Sequence, residues 1–190
     1  VVFTNGRVNS RGGSSFGVTA NWDANGNPER TIYLLHGSTA ADFTGDVFSS
    51  STYNTSASSQ TLAVNATYYF RVRASSEAST SGFTSLGSTM TLAAEPLAAA
   101  LTDVGLSSVT ANWTANGNSA GTLYTARVST DGFATVNFSS ATRNLSVLFG
   151  TGGAGEALAI NATYYFQVRA ANHAGAATAF VSLGSTVTAS

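Results

Sequence analysis

The sequence predicts an all-β chain built from two β-sandwich modules in tandem. Three observations support this: a long internal repeat, apolar residues alternating with polar ones over short segments, and no window with a sustained helical period. Val18-Thr19-Ala20-Asn21-Trp22 returns as Val109-Thr110-Ala111-Asn112-Trp113, and Ala24-Asn25-Gly26-Asn27 as Ala115-Asn116-Gly117-Asn118. Asn65-Ala66-Thr67-Tyr68-Tyr69-Phe70 returns as Asn161-Ala162-Thr163-Tyr164-Tyr165-Phe166, and Ser85-Leu86-Gly87-Ser88-Thr89 as Ser182-Leu183-Gly184-Ser185-Thr186. The tryptophans lie 113 − 22 = 91 residues apart, a period that means whole domains rather than solenoid units. The offset grows to 161 − 65 = 96 by the second motif, which assigns extra residues of the second copy to a loop at Gly150 to Gly155.

Taken in order, the first copy opens with a strand that turns Phe16, Val18, Ala20 and Trp22 to one face and Thr19 and Asn21 to the other. A slip of one residue would bury amides and expose the indole. Asn25-Gly26 marks a turn, and the next strand carries Tyr33 inward with Ile32, Leu34 and His36 outward. Leu62 precedes a corner, after which Tyr68, Phe70, Val72 and Ala74 point inward and Tyr69, Arg71 and Arg73 outward. The second copy repeats the inward set as Tyr164, Phe166, Val168 and Ala170. The expected modules are residues 1–94, with a truncated first strand, and 95–190, joined by the short proline-containing stretch from Leu92 to Pro96.

At these residues the chain resembles tandem fibronectin type III domains of a bacterial type. The family places a Trp on strand B, a Tyr on strand C, a Leu before the corner between strands E and F, and a Tyr-x-Phe-x-Val-x-Ala run on strand F. Trp22, Tyr33, Leu62 and Tyr68 to Ala74 take those places, and Trp113, Tyr124, Leu158 and Tyr164 to Ala170 take them again. The resemblance implies two immunoglobulin-like sandwiches in which the Tyr68 and Tyr164 hydroxyls form tyrosine corners with upstream backbone. Two departures stand out. Val64 and Ile160 replace a frequent proline, and about seven extra residues precede strand B of the first copy, near Gly6 to Gly12.

Composition narrows the function. Charged residues are 9% of the chain, against roughly 25% in an average soluble domain, while hydrophobic residues at 43% are ordinary. All 8 basic residues are scattered arginines, so no basic footprint for nucleic acid exists. With no cysteine there is no disulfide, thiol catalysis or Cys-ligated zinc, and no apolar run approaches the roughly 20 residues of a membrane span.

Catalytic chemistry needs a nucleophile, a base and an electrophilic clamp within reach of one another, and the sequence assembles none. His36 and His173 are each unrepeated in the other copy, which favours a structural or solvated role. Asp42 and Asp46 flank a turn and could act as paired carboxylates or hold calcium, but turn chemistry accounts for them as well. The glycines from Gly150 to Gly155 lack the Lys-Ser/Thr of a phosphate-binding loop. Asn65, Asn112 and Asn161 head glycosylation sequons, although Asn65 and Asn161 equally suit a tight corner.

The most suggestive surface is the outward face of strands C and F. There Leu34, Tyr69, Arg71 and Arg73 group in the first copy, and Tyr165 and Arg169 in the second. Tyr and Arg are enriched at binding hot spots. Against this, arginine stems can simply cover tyrosine rings across strands. The expectation is a non-catalytic extracellular or cell-surface module, in a secreted bacterial protein, that spaces or presents other parts in adhesion or protein interaction. The rival is a carbohydrate- or protein-binding accessory module of a secreted enzyme or adhesin. Expected partners are an unknown protein or polysaccharide and neighbouring repeats, with no cofactor, no metal, no nucleic acid and no membrane insertion.

Overall fold

The computed structural model describes residues 3–10, 13–77 and 79–190, and side chains from residue 17 onward with residue 60 excepted. Fourteen strands and no helix occur among the described residues. The chain divides into two compact units, Val1–Leu92 and Ala93–Ser190.

In unit 1 a three-stranded sheet has the order β1-β2-β5, from Phe3–Ser10, Gly13–Asn21 and Ser56–Leu62. A four-stranded sheet has the order β4-β3-β6-β7, from Val47–Thr52, Ile32–Ser38, Thr67–Ser75 and Thr84–Met90. Between the sheets lie Val18, Ala20, Trp22, Tyr33, Leu35, Phe70 and Val72, every second residue of their strands, as the pleat demands. Ala74, expected inside, is half-buried, and Phe16 falls outside the described side chains. The extra residues ahead of strand B build a hairpin in which Phe3 pairs with Ala20 and Ser10 with Gly13.

Unit 2 repeats the plan. Its sheets are β12-β9-β8, from Ser146–Gly150, Ser108–Thr114 and Leu97–Ala98, and β11-β10-β13-β14, from Phe138–Thr142, Leu123–Ser129, Thr163–Ala171 and Val181–Val187. The Trp22 and Tyr33 rings lie 5.7 Å apart at 54°, and Trp113 and Tyr124 lie 5.7 Å apart at 53°. The Tyr68 hydroxyl accepts from the Ala63 N–H at 3.0 Å, and the Tyr164 hydroxyl from the Ala159 N–H at 2.9 Å, so both tyrosine corners form.

Two more repeated motifs acquire a cause. Asn65 and Asn161 take left-handed φ values of 49° and 51°, and their N–H groups donate to the Leu92 and Ala189 carbonyls. Asparagine tolerates that region better than most residues. Gly87 and Gly184, at φ 89° and 92°, sit opposite Phe70 and Phe166 where β7 and β14 bulge, which explains the recurrent Ser-Leu-Gly-Ser-Thr.

The units differ along strand E. In unit 2, Val147 and Phe149 oppose Ala111 and Val109 and are buried. In unit 1, Ala57 and Ser59 oppose Ala20 and Val18. Loss of the Phe149 ring leaves an opening of about 420 Å³ between β4 and β5, lined by Phe48, Ser59, Leu62 and Tyr68. Leu62 is correspondingly half-buried, where Leu158 is fully enclosed. The extra residues of unit 2 occupy the matching region, with Ala154 and Phe138 packed on its core.

Candidate functional site

The outer face of the four-stranded sheet brings the expected residues together. Leu34 pairs with Arg73, His36 with Arg71 and Ser38 with Tyr69 across β3 and β6. In unit 2, Thr125 pairs with Arg169, Arg127 with Gln167 and Ser129 with Tyr165. Each of Leu34, Tyr69, Arg71, Arg73 and Arg169 is half-buried, while Tyr165 is 39% exposed.

The arginines stack on phenylalanine rather than on the tyrosines expected from the sequence. The Arg71 guanidinium carbon lies 3.9 Å from the Phe43 ring centre and 4.2 Å from that of Phe83, so the cation is sandwiched between the two rings. Arg73 approaches the same Phe83 ring at 4.8 Å, and the His36 ring lies 4.6 Å from it. In unit 2 the sandwiched cation is Arg127, 4.8 Å from Phe133 and 3.7 Å from Phe180, with Arg169 at 4.7 Å from Phe180. Its Nε and Nη2 donate to the Gln167 side-chain oxygen at 3.1 and 2.7 Å. The Arg71 and Arg73 Nε atoms are buried without a hydrogen-bond partner.

Phe43 and Phe133 reach their positions at φ 62° and 73°, in the left-handed region that a bulky residue enters at a cost of about 1–2 kcal/mol. Two cation–π contacts of about 0.5–1 kcal/mol each at a partly exposed site are of the size needed to offset that strain. The four rings occupy corresponding places in the two copies. Phe43 and Phe133 follow the same turn, and Phe83 and Phe180 precede the same last strand. None of the four lies in a run of identical residues.

Burial, with the positive charges of Arg71 and Arg73, holds the His36 pKa below its ordinary value, so the ring is neutral beside the stack. The acidic residues serve the turns next to it. Asp42 accepts from the Thr44 hydroxyl at 2.6 Å and the Thr44 N–H at 3.0 Å, bonds that lower its pKa. Asp131 accepts from the Thr135 N–H at 3.0 Å and from the Ser129 and Thr135 hydroxyls at 2.7 Å, and its pKa falls to about 2. Among the described residues no three His, Cys, Asp or Glu side chains converge as a metal site. Of the sequon asparagines, Asn65 is buried, Asn112 donates to the Ala100 carbonyl and Thr102 hydroxyl, and Asn161 is exposed.

No protein-family model matches the chain, and no curated protein matches its sequence. Solved structures do match. A two-domain fibronectin type III segment of chicken tenascin superposes with a TM-score of 0.62 at 14% identity, over 97% of this chain and 98% of that one. The FN1–FN3 domains of chicken CNTN1 align at 13% identity over 93% of this chain and 63% of that one, with a TM-score of 0.41. The first of these establishes the architecture: an all-β chain with the fold of two fibronectin type III sandwiches in tandem.

Proposed function

We propose that the chain is a non-catalytic pair of modules that spaces or presents other parts of a larger extracellular or cell-surface protein of bacterial type, in adhesion or protein interaction. The observation that carries this reading is the inward use of the suggestive face. Arg71 in unit 1 and Arg127 in unit 2 are each committed to two phenylalanines of their own unit. A guanidinium already stacked on both faces has little left to offer a ligand. The low charge and the absence of cysteine are compatible with such a setting.

The rival accessory module for glycan or protein is favoured by one feature, the 39% exposure of Tyr165 on the sheet face that also carries Arg169. A thermal-shift panel against polysaccharides, cell-wall material and matrix proteins separates the two. A ligand at 100 times its dissociation constant stabilises by about 2.7 kcal/mol, a midpoint rise of several degrees in a domain of this size. The spacer reading expects no shift. A rise that Tyr165→Ala or Tyr69→Ala abolishes would replace it with recognition.

A further inference from the structure

β4 ends the sheet order β4-β3-β6-β7 of unit 1, and among the described residues no strand pairs with its far side. An unpaired edge invites another strand unless a charge, a proline or a bulge guards it. The other edge strands of unit 1 carry such a guard. The ladders of β5 and β7 shift register, and β1 contains Arg7. β4 pairs with β3 without a shift, and Val47-Phe48-Ser49-Ser50-Ser51-Thr52-Tyr53 holds no charge, proline or glycine.

One bond fixes the direction of the backbone along β4. The Thr39 N–H donates to the Asp46 carbonyl at 3.2 Å, so Asp46 turns its backbone toward β3. In an antiparallel ladder that direction alternates, so Phe48, Ser50 and Thr52 also bond toward β3, while Val47, Ser49 and Ser51 turn theirs to the free edge. The side chains alternate as well. Val47, Ser49, Ser51 and Tyr53 are exposed, and Phe48, Ser50 and Thr52 are half-buried. Val47 is 47% exposed, and Tyr53, at 65%, is the most exposed large hydrophobic among the described residues.

We propose that β4 is a homotypic docking edge, at which a second copy of this chain adds its own β4 antiparallel about a two-fold axis at Ser50. In that register Ser49 faces Ser51 of the second copy, and their outward N–H and C=O groups exchange bonds. Val47 meets Tyr53 of the second copy on each side of the axis, which covers both exposed apolar side chains at once. Asp46 meets Asn54 of the second copy, so no like charges oppose each other. Unit 2 shows what an unsuited edge looks like. Its strand β11 keeps the same register, Tyr124 opposite Thr142 as Tyr33 is opposite Thr52, but Asn137 and Arg143 stand in the places of Val47 and Tyr53. One strand pair belongs to the small class of interfaces, below about 1,200 Å², so the association is transient and concentration-dependent. This inference goes beyond the spacer reading, which stands whether or not two copies meet.

Sedimentation velocity of the full chain over a concentration series tests it. The weight-average mass should climb from 19.3 kDa toward twice that value as concentration rises. Val47→Asn with Tyr53→Arg, which copies unit 2, should weaken the association about tenfold or more, with the melting midpoint of unit 1 in dilute solution unchanged. Because the chain has no cysteine, a single introduced thiol reports the register. Ser50 lies on the axis in a non-hydrogen-bonded pair, where Cα atoms approach to about 4.5 Å, within reach of a disulfide. Ser50→Cys should therefore oxidise to a covalent dimer, while Ser140→Cys, its counterpart on β11, should stay monomeric. The proposal is overturned by a mass that stays at 19.3 kDa throughout, or by association that the double variant leaves undiminished. It is equally overturned if Ser140→Cys cross-links as readily as Ser50→Cys.

Discussion

Arg71 stands on β6 and Arg127 on β10, the counterpart of β3 rather than of β6, yet each guanidinium lies between corresponding phenylalanines of its own unit. The residue across from Arg71 is His36, and the one across from Arg127 is Gln167. Cross-strand neighbours project into shared space, so the strand that supplies the cation is exchangeable while the cation is not.

Replacing Arg71 by Gln alone should therefore destabilise unit 1 by about 1–2 kcal/mol, the loss of two cation–π contacts. The double variant Arg71→Gln with His36→Arg, which copies unit 2, should recover most of it. Urea unfolding of the three proteins checks this, and a double variant no better than the single one would mean that the stack contributes little.

Tyr68→Phe and Tyr164→Phe each leave a corner N–H, that of Ala63 or Ala159, without its acceptor. Each change should lower the stability of its own unit by about 1–3 kcal/mol. Hydrogen exchange at those two amides should accelerate correspondingly.

Trp22→Ala and Trp113→Ala should each cost about 3–5 kcal/mol and unfold mainly the unit that carries the change. In the unaltered chain unit 1 should melt first, because Ser59 occupies the place of the buried Phe149 and an aromatic side chain there is worth about 1.5–3 kcal/mol. Calorimetry of the three proteins resolves the order, and a single transition that shifts equally for both variants would mean one cooperative unit.

Acid should act on the two units in different ranges. Asp131 titrates at about 2 when folded against 3.8 as its ordinary value, so its contribution to unit 2 is complete above pH 3.8 and is lost as pH falls toward 2. Asp131→Asn should flatten that part of the curve. His36, depressed below 6.5, is neutral in the fold, so unit 1 should weaken as pH falls below 6.5 and the unfolded chain takes up the proton first. His36→Gln should remove that slope, measured by urea unfolding between neutral and mildly acidic pH.

The two-fold repeat, the inward faces of strands B and F and the tyrosine corners were all legible, because alternation and motif identity record them residue by residue. Phe43, Phe83, Phe133 and Phe180 were not singled out. They sit in loops, where periodicity carries no signal and only the geometry of the folded sheet brings them over an arginine. The outward tyrosines drew attention because Tyr and Arg alternate along one strand. Alternation reports which face a side chain occupies and not which ring lies above it.

The grip of Asn118 on Ala94, whose N–H and carbonyl both bond the Asn118 side-chain amide at 2.8 Å, has a mechanical meaning. A pull entering unit 2 from its first residues loads that amide clamp and the short β8 pairing before it reaches the core. Asn118 is thus a place where the resistance of unit 2 to stretching can be tuned without touching its core.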